Sequence, residues 1–240
     1  MLKEEFSKII KEQAEEIEIS LDEKQINQFY RYMKLLLEWN EKINLTAITK
    51  PEAIILKHFV DSMTIAKHIK KKATIIDVGT GAGFPGIPLK IIREDLQVTL
   101  LDSLNKRLLF LEEIIKELEL KDITTIHARV EEFGKNKKYR EKFDYATSRA
   151  VANLATLSEY LIPLVKIDGF CISMKGSEVE EEVEQSKTAI SILGGKIEQI
   201  ETFQLPKSDI NRNIIIVQKI KNTPSKYPRK PGTPSKEPIQ

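Results

Sequence analysis

A single cysteine, Cys171, among 240 residues leaves no partner for a disulfide and no set of thiolates for a metal cluster. The three histidines, His58, His68 and His127, do not fall at metal-ligand spacing, so no metal is expected. No apolar run approaches the length that crosses a bilayer. The opening residues, Met1-Leu2-Lys3-Glu4-Glu5-Phe6, place acids where a secretion signal needs basic and then apolar residues. These absences predict a cytoplasmic protein. A strong charge of either sign is lacking too: the net charge of +2 says nothing by itself about a polyanionic partner. With 41% hydrophobic and 31% charged residues, the chain reads as soluble and globular, long enough for one catalytic domain with an appendage.

What is present divides into three parts. Residues 1–70 read as a helical extension. Leu2, Phe6, Ile9, Ile10 and Ala14 recur at helical spacing. Ser20-Leu21-Asp22-Glu23 has the form of a capping box, and the helix behind it sets Ile26, Phe29, Tyr30, Met33, Leu36 and Leu37 on one apolar stripe. Pro51 opens a further helix through Ile54, Ile55, His58, Phe59 and Met63.

After Lys70-Lys71-Lys72, residues 71–220 alternate between strand-like and helix-like stretches. Strands are predicted at 73–78, 97–102, 123–128, 143–148, 169–174, 196–204 and 213–220, and helices at about 86–93, 105–119, 151–165 and 177–193. This order predicts an α/β fold, a mostly parallel sheet with helices on both faces. The short Pro206-Lys207-Ser208 connection predicts an antiparallel hairpin at one edge. Residues 221–240 form a basic, proline-rich tail, expected to be extended and loosely held. From Lys219 onward, Lys219, Lys221, Lys226, Arg229, Lys230 and Lys236 stand against Glu237 alone, which suits either a solvated end or contact with a polyanion.

The most informative segment is Asp77-Val78-Gly79-Thr80-Gly81-Ala82-Gly83-Phe84-Pro85-Gly86. It follows a strand and leads into a helix, and its glycines let the backbone turn sharply and approach a ligand. From Gly81 onward it matches Gly-x-Gly-x-x-Gly, the pattern of a dinucleotide loop. A carboxylate such as Asp77 lining that loop would oppose a pyrophosphate. It suits the cationic methionine end of S-adenosylmethionine. Asp102 ends the second strand, placed to accept hydrogen bonds from ribose hydroxyls. That feature serves the methyl donor and NAD alike. Val130 and Glu131, after the third strand, suit an adenine face and its amino group. Arg149 ends the fourth strand at the same rim, where it can meet the cofactor or an incoming phosphate.

No residue stands out as an activated nucleophile or general base, and the catalytic residue stays unassigned. Cys171 lies mid-strand and reads as a small buried hydrophobe. A substrate that is already nucleophilic needs no base, and the N7 of guanine carries a free lone pair at neutral pH. Positioning alone can then supply much of the acceleration.

Several segments, in order along the chain, carry a resemblance. They are Trp39-Asn40-Glu41-Lys42-Ile43-Asn44-Leu45-Thr46, His58-Phe59-Val60-Asp61-Ser62, the stretch from Asp77 to Leu89, Leu101-Asp102-Ser103, Lys106-Arg107, Ser148-Arg149-Ala150 and Tyr227-Pro228-Arg229-Lys230-Pro231-Gly232. The chain resembles the RsmG (GidB) family of bacterial small-subunit rRNA guanine-N7 methyltransferases. The resemblance implies a class I, Rossmann-like S-adenosylmethionine methyltransferase domain with an N-terminal helical extension. It implies methylation of the guanine at position 527 of 16S rRNA, and a cofactor site at Gly79, Phe84, Val130, Glu131 and Arg149. Phe84 stands where the family often carries leucine. Combined with the loop chemistry, the expected cofactor set is Asp77, Gly79, Gly81, Phe84, Asp102, Val130, Glu131 and Arg149. Arg149, Arg229 and Lys230 are expected to meet rRNA, whether naked or in a small-subunit particle. Two alternatives stay open on the residues themselves: an NAD-dependent oxidoreductase, and a non-catalytic RNA-binding factor that keeps the fold.

Overall fold

The apolar stripes near the start of the chain fold as two helices, α1 (Lys3–Glu16) and α2 (Glu23–Asn40), in a computed structural model that describes residues 1–240. Phe6, Ile10, Phe29, Met33 and Leu36 are buried, whereas Leu2 lies outside the helix and is exposed. The cap of α2 differs from the expected one. Asp22, not Ser20, accepts the Gln25 N–H at 2.8 Å, and the Gln25 side chain accepts the Asp22 N–H at 3.0 Å. The same reciprocal bond thus forms two residues later, with a carboxylate as acceptor. Pro51 opens α3 (Pro51–Ile54), which widens into a π-helical turn, Ile55–Val60, then α4 (Asp61–Met63) and a 3-10 turn, Thr64–His68.

The alternating part follows as β1 (Thr74–Val78), α5 (Gly86–Ile92), β2 (Gln97–Asp102), α6 (Asn105–Glu117), β3 (Ile123–His127), α7 (Val130–Phe133), β4 (Phe143–Arg149), α8 (Leu154–Leu161), β5 (Val165–Lys175), α9 (Glu180–Leu193), β6 (Gly195–Gln204) and β7 (Asn211–Lys219). All seven strands join one sheet in the order β3-β2-β1-β4-β5-β7-β6. β1 to β5 are parallel, and β7 runs antiparallel to both β5 and β6. One boundary moves. The helix expected over 151–165 stops at Leu161, passes through a 3-10 turn at Ile162–Leu164, and gives way to a strand at Val165 rather than 169. Pro163, without an N–H, suits the place where the helix ends.

Successive strand residues face opposite sides, so each strand feeds two cores. Ile75, Leu100, Ile172 and Ile214 join a cluster with Phe6, Phe29 and Phe59, so the N-terminal helices cover that face. Ile76, Leu101, Cys171 and Ile215 join the other, with Leu157 and Leu161 of α8 and Ile190 and Leu193 of α9. Burial pushes the Cys171 thiol up to about 12, which leaves it an inert filler. No helix is long and apolar enough to cross a membrane.

The tail departs most from expectation. Arg140 donates to the carbonyls of Tyr227 and Thr223, each at 2.7 Å, and Tyr227 is buried in the second core. A last short helix, α10 (Thr233–Lys236), lies against α8, where Thr156 Oγ1 donates to the Pro234 carbonyl at 2.9 Å. The prolines therefore shape turns that dock. They do not form a free extended rod.

Candidate functional site

The order β3-β2-β1-β4 reverses direction between β1 and β4, and ligands of open α/β sheets bind outside the carboxyl ends of the strands at such a point. A cavity of about 770 Å³ opens there. The glycine loop forms part of its wall. Gly79 and Thr80 donate to the Leu101 carbonyl at 2.8 and 3.2 Å, tying the loop to β2. Gly79, Gly81 and Gly83 have φ of +65°, +61° and +97°, where side chains are strained.

Asp77 is a correction. Its side chain lies on the Ile75 face of β1, fully buried beneath the loop, and is not among the residues lining the cavity. Its Oδ2 accepts from Thr80 Oγ1 at 2.7 Å and from the Gly86 N–H at 2.9 Å, while Oδ1 has no partner. Burial pushes the carboxyl up to about 6, against those two bonds. Asp77 therefore shapes the loop from below and does not face the cavity. It also occupies the first amide of α5, an amide a pyrophosphate would want. The case against a dinucleotide survives on that ground. Gly79 needs a similar adjustment: a Cβ there would meet Val151 Cγ2 at 2.7 Å, so the conflict lies with the protein and not with ligand space.

Asp102, Val130, Glu131, Phe84 and Arg149 all line the cavity together with Gly79 and Gly81. Asp102 is held by three donors: the Gly81 N–H at 3.0 Å, the Leu104 N–H at 2.9 Å and Arg107 Nη1 at 3.3 Å. It thus braces the glycine loop while keeping an edge on the cavity. Glu131 Oε1 accepts the Gly232 N–H of the tail at 2.9 Å.

Across the cavity the N-terminal extension meets the sheet. Arg149 Nη1 donates to the Lys57 carbonyl at 3.1 Å and lies 3.3 Å from Asp61 Oδ2. Asp61 also takes Arg212 Nε, 3.2 Å from each carboxylate oxygen. Arg149 Nη2 sits 3.2 Å from His58 Nδ1, and a guanidinium can only donate, so Nδ1 is the acceptor. The ring proton is then on Nε2, 2.8 Å from Thr46 Oγ1. Burial first, and the Arg149 charge second, bring His58 down to about 3, so the ring is neutral. Phe84 stacks on His58 with centroids 4.5 Å apart, and the Arg149 guanidinium lies 4.9 Å from the Phe84 ring centre. The cavity as a whole is basic: Lys57, Arg107, Arg129, Arg149, Lys175 and Arg212 face Asp61, Asp102 and Glu131.

Arg229 and Lys230 are not in this cavity. Arg229 is anchored, where a loosely held tail was expected. It turns inward, with Nη2 2.7 Å from Glu159 Oε2 and its backbone N–H 2.7 Å from Glu159 Oε1. Its guanidinium is committed to that wholly buried carboxylate, with a quarter of the side chain still exposed and outside the cavity. Lys230 is exposed. Sequence reasoning missed Lys57, Asp61, Tyr160, Lys175 and Arg212, which line the cavity. Of these only Asp61 lay within a quoted motif, and its partners are 88 and 151 positions away.

A family model, rRNA small subunit methyltransferase G (GidB), matches residues 25–215. A protein of Clostridium novyi, "Ribosomal RNA small subunit methyltransferase G", is 52% identical over 236 residues, 98% of this chain and 97% of its own length. Its namesake from Acetivibrio thermocellus is 56% identical over 233 residues, covering 97% and 96%. Among solved structures, a SAM-dependent methyltransferase from Aquifex aeolicus aligns with a TM-score of 0.53 at 17% identity, over 77% of this chain and 98% of that one. The [4+2]-cyclase SpnF aligns with a TM-score of 0.56 at 12% identity, over 84% and 97%. The class I methyltransferase fold is therefore shared, but it also hosts other chemistry. Sequence identity near one half along nearly the whole chain decides what the fold leaves open: the chain belongs to the rRNA small subunit methyltransferase G family.

Proposed function

We propose that this protein transfers the methyl group of S-adenosylmethionine to N7 of a guanine in cytoplasmic 16S rRNA of the small ribosomal subunit, the guanine at position 527. One observation carries the reading. A nucleoside-sized wall of Gly79, Gly81, Asp102, Val130 and Glu131 shares a single cavity with a basic wall of Lys57, Arg149, Lys175 and Arg212. The first suits the adenosyl end of the donor, and the second suits a nucleotide's phosphate.

The residues present fit the donor. A Cβ on Gly81 would meet nothing nearer than the Gly79 carbonyl at 3.9 Å, so the loop leaves room on that side. Asp102 offers an acceptor edge to ribose hydroxyls, and Val130 an apolar face to a base. When bound, the donor supplies an electrophilic methyl group. The chain's own part is to hold and orient. The acids and the histidine on the cavity wall are engaged: His58 at both nitrogens, Asp61 by two arginines, Asp102 by three donors, Glu131 by the tail. A site with its acids and histidine so engaged suits an acceptor that needs no deprotonation, as N7 does not.

The test is to incubate small-subunit particles lacking the modification with the protein and labelled donor, then cleave chemically at N7-methylguanosine. A single cleavage at position 527 is expected. Label on an exocyclic amine or a ribose, or no incorporation, overturns the reading.

A further inference from the structure

The C-terminal tail reaches the cofactor cavity from outside. Arg140 gathers its near end, and Arg229 fastens its middle to Glu159 through guanidinium and backbone together. Three residues on, Gly232 turns with φ of +82° and aims its N–H at Glu131 Oε1, 2.9 Å away. Beyond it, Tyr160 OH lies 3.1 Å from Ser235 Oγ, and Tyr160 itself lines the cavity. Glu159 and Tyr160 are neighbours on α8, so one helical turn grips the tail at two points.

Glu131 is 5% exposed and sits on the cavity wall beside Val130. A carboxylate offers about four acceptor positions. The tail takes one on Oε1, which fixes the side chain; no protein donor takes Oε2, and the residue lines the cavity. An acceptor held at that place prefers a base edge that donates, as the adenine amino group does. It opposes an edge that accepts, as the hypoxanthine oxygen does. A site built to bond a donor discriminates strongly against the analogue lacking it.

We propose that the tail is a working part of the cofactor site: by holding Glu131 through the Gly232 amide, it sets the site's preference for an adenine base. Arg229, Glu159 and Gly232 are positioning residues in this arrangement. The inference rests on the reading of the cavity as an adenosyl site and goes one step beyond it.

Calorimetry on the full chain with S-adenosylhomocysteine and with its inosine counterpart, S-inosylhomocysteine, tests it. The unaltered protein is expected to favour the adenosine ligand clearly. In Arg229→Ala the adenosine ligand should weaken by roughly tenfold, the loss of a charge-assisted hydrogen bond. The inosine ligand should change little, so the ratio between the two falls. Arg229→Lys, which keeps a cation at Glu159, should restore part of that ratio. Glu159→Gln, which keeps the size of the anchor and one acceptor while weakening its hold on Arg229, serves if Arg229→Ala does not fold. It should lower the ratio as well. A purely structural tail predicts equal weakening of both ligands, or none, and an unchanged ratio in Arg229→Ala and Glu159→Gln overturns the proposal. If the unaltered protein binds neither ligand, the adenosyl reading of the cavity falls, and this inference with it.

Discussion

The phenol of Tyr32, on α2, donates to the carbonyl of Ala82, inside the glycine loop. The N-terminal extension therefore holds the loop directly, and Tyr32, stacked on Phe84 at 5.5 Å, holds its aromatic residue too. Tyr32→Phe keeps the ring but leaves a buried carbonyl without its donor. Such an orphan costs about 1–3 kcal/mol. Chemical denaturation should show that loss of stability, and calorimetry should show a weaker methyl donor in the absence of RNA. Equal stability and equal affinity would separate the extension from the cofactor site.

His58 and Asp77 should bend the pH dependence of stability in opposite directions. His58 falls to about 3, from an ordinary value near 6.5, through burial and the Arg149 charge. The unfolded chain binds the extra proton, so this contribution is present above pH 6.5 and is lost on acidification toward 3. Asp77 rises to about 6 from 3.8 through burial, so the folded chain binds the extra proton. Its contribution is present below pH 3.8 and is lost as pH rises through 6. Between pH 4 and 6 the two oppose. Relative to the unaltered protein, His58→Gln should gain stability as pH falls across that window, and Asp77→Asn should lose it. Melting temperatures at half-unit pH steps decide the matter, and parallel curves for all three proteins would refute both assignments.

Asp102→Ala removes the partner of Gly81, Leu104 and Arg107 at once. Donor affinity should drop by roughly 1.5–3 kcal/mol, the scale of bonds to a charged group. The unfolding midpoint should drop too, because the loop amide of Gly81 loses its acceptor. Asp102→Asn retains one oxygen and should recover part of the midpoint. The methylated nucleotide should stay the same in either variant. A variant with normal affinity but reduced stability would make Asp102 a loop brace only.

Local pattern carried the fold because strand alternation and strand-end chemistry are local. Ile75 and Ile76, or Ile214 and Ile215, divide between the two cores as period-two spacing requires. The same alternation explains why Asp77 was placed rightly in the chain and wrongly in space. It shares the face of Ile75, so its carboxylate goes under the loop while the backbone of Val78 to Gly81 lines the cavity. Arg229 misled because charge and proline spacing reveal nothing of Glu159, a carboxylate 70 positions earlier that burial had left in need of a cation. Tyr32 drew no expectation from the sequence. Its partner lies 50 positions away, and no local signal marks such a bond.

Exposed cations with no protein partner are the ones expected to meet rRNA. Arg129 lies at the cavity mouth and Lys230 on the docked tail, and both side chains are exposed. Each phosphate neutralised releases counterions, so each lost contact should lower the slope of log affinity against log salt by about 0.7–0.9. Lys230→Ala and Arg129→Ala should each flatten RNA binding by that amount. The double variant should flatten it by the sum, because the two charges act on separate phosphates. Lys230→Ala should leave donor affinity unchanged in the absence of RNA, since Lys230 touches none of the cavity. Filter binding of small-subunit rRNA across a salt series measures the slopes. Slopes that match the unaltered protein would shift recognition to the cations inside the cavity, Lys57, Lys175 and Arg212, where a single inserted nucleotide would carry it.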